Sequence, residues 1–331
     1  MSVPELDPEI IAAMRRAEEL GARPIESITP EEARADFVRV VKEFQGEPDE
    51  VFSVEDRDAD GVPIRIYRGV ESDGPSMALV YFHGGGWVVG SIDTHDHITR
   101  ALAKRTGIVV ISVDYRLAPE HPYPAALEDS WKAASWVFAN ADELGIDVER
   151  IGVGGDSVGG CLAAIVARKG RDAGTPFAAQ LLLYPAVSTR CDTQSFSLYQ
   201  SGYGLTRDAM FWYWEQYLGK DFGGSGDPDI SPGSLQDLRR LPRAIVVTAE
   251  ADVLRDEAEA FAQRLFFGGV ETEGYRYDGM IHGFLRMAAK VKRSNDAFDE
   301  IAESLRPFLE KGWREDFSAL PGQSAAGDPL T

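Results

Sequence analysis

The sequence predicts an α/β fold built on a mainly parallel β-sheet. From about residue 77 onward, short runs rich in Val, Ile and Leu alternate with longer helix-forming stretches. Strand–helix–strand units of that kind join through right-handed crossovers and set neighbouring strands parallel. The strand-like runs also end in glycine-rich or acidic loops, at residues 83–87, 154–160 and 250–252. Chemistry-bearing residues therefore gather at strand ends on one edge of the sheet. Finally, 331 residues with 44% hydrophobic content suffice for one large domain, or a domain with a subdomain.

Taken in order, residues 5–20 and 30–44 read as amphipathic helices. The second opens on Thr29-Pro30-Glu31-Glu32, with threonine as N-cap and proline at the first helical position. Residues 51–55 and 62–68 are short strands across an Asp60-Gly61 turn, a hairpin signature. Residues 77–82 form a buried strand that runs into His83-Gly84-Gly85-Gly86-Trp87. There follow a helix over 92–106, a central strand over 108–113, a proline-rich connection over 114–124 and a helix over about 125–140. The strand carrying Ile151 and Val153 turns sharply at Ser157 into an apolar helix, and 179–184 is the next core strand.

Residues 188–224 break the rhythm. They turn strongly aromatic, with Phe196, Tyr199, Tyr203, Phe211, Trp212, Tyr213, Trp214 and Tyr217. The segment is too long for a connecting loop. It reads as part of a cap over a site, or residue by residue as an aromatic helix packed on the core. Residues 243–249 resume the sheet, and a helix over 256–267 stops at Gly268-Gly269. A last strand spans 272–277 and a last helix about 295–311. The Gly-, Ser-, Ala- and Pro-containing tail from Asp316 is expected to be disordered.

Gly155-Asp156-Ser157-Val158-Gly159 fits G-x-S-x-G at a strand-to-helix turn. A serine hydroxyl serves as a nucleophile when a tight turn holds it exposed, and flanking glycines remove the Cβ atoms that would clash there. The N–H groups that open the helix then face developing negative charge. The three glycines after the strand at 77–82 suggest a second set of bare donors, assigned to Gly84 and Gly85, with Val158 completing an oxyanion hole. Ser157, Asp252 and His282 each follow a strand and occur in the order Ser…Asp…His, so they are the candidate catalytic residues. Asp252 is preferred over Asp256, which charges the first turn of its helix, and over Asp278. Trp87, Asp156, Tyr203, Phe211 and Trp212 are candidate substrate-binding residues. His95 and His97 lie near Asp93 and Asp96, but residues two apart on a helix face different ways, so no metal is expected.

The net charge of −20 argues against nucleic acid and anionic membranes as partners, because phosphate neutralisation needs clustered Lys and Arg. Cys161 and Cys191 allow at most one disulfide, and Cys161 reads as a buried small hydrophobe. The first twenty residues carry Glu5, Asp7, Glu9, Glu18 and Glu19, unlike a signal peptide, and no apolar run is long enough to span a membrane. A cytoplasmic location is the expectation.

His83-Gly-Gly-Gly-Trp87, Asp114-Tyr-Arg-Leu-Ala-Pro-Glu120, Gly155-Asp-Ser-Val-Gly-Gly160, Asp252-Val-Leu-Arg-Asp-Glu257 and His282-Gly-Phe284 resemble, in order, the motifs of the hormone-sensitive-lipase-like bacterial esterases (family IV) of the α/β-hydrolase fold. The resemblance implies an eight-stranded core flanked by helices, a helical cap, and activity on short acyl esters without a cofactor. Its organisation would be cap helices over 1–45, core over 46–187 and 225–313, a cap insertion over 188–224 and a flexible tail over 314–331. Family members often pair through the edge of the final strand, which implies a homodimer edge at 272–277. The chain departs from the family at Val158, where alanine is usual, and at Val253, where proline is usual. The first change is expected to narrow the acyl pocket, the second to alter the rigidity of the Asp252 loop. The triad does not separate an esterase from an amidase, thioesterase or lactonase. The family also includes a ligand-binding receptor that lost its catalytic histidine, whereas His282 is retained here.

Overall fold

A computed structural model describes residues 4–313; the tail expected to be flexible, 314–331, lies outside the described residues. Strands β1 (Ser53–Asp58) and β2 (Pro63–Arg68) form the hairpin expected at Asp60-Gly61, with Ser53 opposite Arg68. β3 (Ser76–Phe82), β4 (Val109–Val113), β5 (Ile146–Asp156), β6 (Ala179–Leu183), β7 (Arg243–Ala251) and β8 (Thr272–Ile281) complete the sheet. Its eight strands run in the order β1-β2-β4-β3-β5-β6-β7-β8. β2 is antiparallel to β1 and β4, and all the other pairs are parallel.

The sheet is covered on both faces, as its composition requires. Every residue of β4 and β6 is buried, which is why these strands read as unbroken apolar runs rather than alternating ones. The helices are α1 (Pro8–Glu19), α2 (Pro30–Gln45), α3 (Ile92–Thr106), α4 (Ala125–Ala139), α5 (Val158–Ala173), α6 (Gln194–Leu198), α7 (Arg207–Leu218), α8 (Arg255–Phe267) and α9 (Lys292–Lys311). Two strands run longer than their composition suggests. β5 begins at Ile146, but Asp147, Glu149 and Arg150 lie before its regular pairing with β3 starts at Ile151. β8 continues past its polar first half to Ile281, which pairs with Ala251 across an irregularity. That extension carries the chain to His282.

Thr29 caps α2 through a full capping box with Glu32. On the next turn, Arg34 fixes this helix to the core. Its Nε donates to the Val88 carbonyl at 2.8 Å, Nη2 donates to the Ala118 carbonyl at 2.9 Å, and the guanidinium also bonds Glu120. The insertion contributes α6 and α7, and α7 packs against the short 3-10 turn Ile25–Ser27 from the N-terminal segment. The N-terminal helices and the insertion thus meet. Trp214 and Tyr217 of α7 are buried in the core, so this helix packs into it. Among the described residues no helix is long and apolar enough to cross a membrane.

Candidate active site

β5 ends at Asp156 and α5 begins at Val158, leaving Ser157 alone at the corner with φ +57° and ψ −120°. Such a backbone is costly for a side-chain-bearing residue, so its surroundings must impose it. A Cβ on Gly155 would lie 2.4 Å from the Phe82 carbonyl oxygen, and one on Gly159 only 2.0 Å from it. Glycine at both positions lets β3, β5 and the start of α5 close around the serine, as the motif predicts. The Ser157 N–H is anchored on the Leu183 carbonyl at 2.8 Å.

His282 follows the last residue of β8, with Nε2 2.9 Å from Ser157 Oγ and Nδ1 2.7 Å from Asp252 Oδ2. Asp252 is buried, and its other oxygen, Oδ1, accepts the Leu254 N–H at 2.9 Å. That side-chain turn, together with Ser195 Oγ donating to the Val253 carbonyl at 2.6 Å, secures a loop that lacks the family's proline. Asp256 is engaged elsewhere, accepting the Ser195 N–H at 2.7 Å, and Asp278 is exposed. The Tyr184 ring stands edge-on to the His282 imidazole at 4.9 Å.

The glycine loop after β3 is pinned by Asp156. Oδ1 of Asp156 accepts the Gly84 N–H at 2.8 Å and the Tyr81 hydroxyl at 2.8 Å, while Oδ2 lies 3.5 Å from His95 Nε2. Gly84 therefore does not match the oxyanion-donor expectation, because its proton is committed to a carboxylate. Among the described residues the N–H groups of Gly85, Gly86 and Val158 have no acceptor. Burial alone would raise the Asp156 pKa, but the His95 ring, the Arg286 guanidinium and the Tyr81 hydroxyl hold it below the usual carboxylate range. His83 supports the loop from beneath. Its ring stacks on Tyr115 at 4.3 Å, the Tyr115 hydroxyl donates to the His83 carbonyl at 2.6 Å, and burial pushes the His83 imidazole down to about 3.

Residues 79–286 match the family model for the alpha/beta hydrolase fold. Carboxylesterase NlhH of Mycobacterium tuberculosis is 40% identical over 240 residues, covering 71% of this chain and 75% of that protein. The ethyl acetate hydrolase of Pseudomonas putida is 34% identical over 297 residues, covering 86% and 92% respectively. The crystal structure of LAE6, an α/β hydrolase from the metagenome of Lake Arreo, superposes with a TM-score of 0.87 at 37% identity, covering 92% of this chain and 99% of that one. The chain belongs to the hormone-sensitive-lipase-like α/β-hydrolases.

In this hydrolase the aromatic wall is arranged differently from the expectation. Trp87 is only 1% exposed, stacked flat on Tyr217 at 4.4 Å and against Trp214 at 4.3 Å, so its ring braces the cap rather than lining a surface. Asp156, 2% exposed, has its side-chain oxygens turned to Tyr81, Gly84 and His95. Tyr203, Phe211 and Trp212 are half-buried on the cap. The Tyr203 ring lies 5.2 Å from Tyr199, that of Phe211 5.8 Å from Phe222, and that of Trp212 5.4 Å from Tyr213. The residue against the glycine loop is Tyr213. A Cβ on Gly86 would meet its ring at 1.9 Å. Nothing in the sequence singles Tyr213 out, because Phe211-Trp212-Tyr213-Trp214 is apolar on every side and offers no stripe to set the helical phase.

Proposed function

We propose that the chain is a serine carboxylesterase that hydrolyses short-chain acyl esters through an acyl-enzyme. The observation that carries this reading is the unbroken relay from Asp252 through His282 to Ser157, with hydrogen-bond distances of 2.7 and 2.9 Å. His282 takes the Ser157 proton as Oγ attacks the ester carbonyl, and Asp252 fixes the imidazole by accepting from Nδ1 and stabilises the imidazolium. The tetrahedral oxyanion is held by the free N–H groups of Gly85 and Val158, with Gly86 as the remaining free donor of the loop. His282 then protonates the departing alcohol, and water releases the acyl group by the same route.

Relatives named carboxylesterase and ethyl acetate hydrolase support the reaction class. The preference for short chains is supported by the cap, whose Tyr213 ring presses on Gly86, and by Ser157 being only 7% exposed. The test is turnover of nitrophenyl esters from two to twelve acyl carbons, beside a matched nitrophenyl amide. The expected result is a maximum among the shortest esters, little cleavage of the amide, and loss of about 10⁴-fold or more in kcat in Ser157→Ala. An amide cut as fast as its ester, or a maximum at long chains, would overturn the assignment.

A further inference from the structure

Arg286 sits four residues beyond His282, in the 3-10 turn Phe284–Met287. Its guanidinium is packed against Gly283 of the histidine loop, since a Cβ there would be 2.2 Å from Nη2. On its other side it covers the ring of Phe37, in α2 of the N-terminal cap, at 5.0 Å. Arg286 is half-buried, its Nε is out of contact with solvent, and among the described residues no side-chain nitrogen of Arg286 finds a hydrogen-bond acceptor or a carboxylate within 4 Å. The other half-buried arginines behave differently. Arg34 bonds two carbonyls and Glu120, Arg264 bonds the Gly233 and Leu235 carbonyls, and Arg168 pairs with Asp172 and Asp229. The chain has 54 acidic and 34 basic residues, yet among the described residues the acid that feels this cation, buried Asp156, makes no direct ion pair with it.

With Nε sealed from water and no protein acceptor among the described residues, the guanidinium keeps a fork of donors open to a planar acceptor, and a carboxylate meets that fork best. Its position is beside the catalytic histidine and at the cap. Its field reaches Asp156, Tyr184 and Tyr213, which surround Ser157. Resting on the esterase reading above, we propose that Arg286 recognises a free carboxylate carried by the substrate, so that the preferred esters are short-chain monoesters of dicarboxylic acids. The acidic remainder of the chain gives little long-range attraction for an anion, so discrimination comes from this one contact.

The test compares monoethyl glutarate with the neutral ethyl valerate, in the intact protein, Arg286→Met and Arg286→Lys. The intact protein should favour the glutarate ester, with the difference in KM. Arg286→Met should lower the glutarate-to-valerate ratio of kcat/KM by about 10- to 100-fold, and Arg286→Lys should restore part of it. A ratio that stays within twofold overturns the proposal, because a guanidinium that only latches the cap through Phe37 would affect both esters alike. Glutarate itself supplies a readout that needs no turnover. It should raise the thermal midpoint of Ser157→Ala but not of Ser157→Ala/Arg286→Met, and equal shifts, or none in either, overturn the proposal. If the intact protein cleaves neither ester while glutarate still stabilises Ser157→Ala through Arg286, the esterase reading fails and the carboxylate site stands.

Discussion

Asp156, the neighbour of Ser157, ties the two halves of the site together. It follows Val153 to Gly155 along β5 and reaches across to β3 and the loop after it, where it accepts hydrogen bonds from the Tyr81 hydroxyl and the Gly84 N–H. Replacing it with asparagine removes a charge-assisted acceptor from the Gly84 N–H and frees the loop that carries Gly85. Asp156→Asn is expected to lower kcat by about 10- to 100-fold with a smaller change in KM, because the lost stabilisation belongs to the transition state. Steady-state kinetics decide it, and a purely KM-based effect would contradict it. At this scale the sequence discloses which three residues meet, Ser157, Asp252 and His282, since the chemistry needs particular residue types after particular strands. It does not disclose the partners. Asp156 and Gly84 are 72 residues apart, and which of three successive glycines donates its N–H to a carboxylate is set by the pairing of β3 with β5. Trp87 escapes for the same reason, as its stacking partners lie on α7.

Two elements hold the cap, and each depends on one side chain. α2 is fastened by Arg34, whose bonds to the Val88 and Ala118 carbonyls join it to both core loops around the site. Arg34→Ala should lower stability by about 1–3 kcal/mol, measured by urea unfolding, and should speed proteolysis within residues 20–46. Unchanged unfolding would show that α2 is held by apolar packing alone. The entry to the insertion is fastened by Glu257 of α8, whose Oε1 accepts the Val187 N–H at 2.8 Å and the Ser188 N–H at 3.2 Å. Burial pushes this carboxyl up to about 8. The folded pKa lies above the unfolded one, so the contribution of Glu257 to stability is full below the unfolded value and is lost as pH rises through about 8. Glu257→Gln keeps the Oε1 acceptor without the charge. Relative to the intact protein it should gain stability from pH 5 to pH 8, with a slope approaching about 1.4 kcal/mol per pH unit. A pH-independent difference in unfolding free energy would contradict this. Elements themselves are largely legible: the hairpin at Asp60-Gly61 and the capping box at Thr29 follow from local chemistry alone. The first half of β5 is not, because Asp147, Glu149 and Arg150 give no apolar signal.

The whole molecule makes the site by topology. Parallel β5, β7 and β8 all deliver their C-terminal ends to one edge, which brings Ser157, Asp252 and His282 together over a span of 125 residues. That convergence is readable from strand order and motif order. The manner in which the cap closes is not, since it rests on contacts between α7, the Ile25–Ser27 turn and the glycine loop, segments with no mutual pattern in sequence. That convergence is expected to make Ser157 a nucleophile. Treatment with a short-chain alkyl nitrophenyl phosphonate, followed by intact and peptide mass spectrometry, tests it most directly. One phosphonyl group per chain is expected, on the peptide containing Ser157, with none in Ser157→Ala and much slower labelling in His282→Ala. Labelling elsewhere, or undiminished labelling without Ser157, would contradict it.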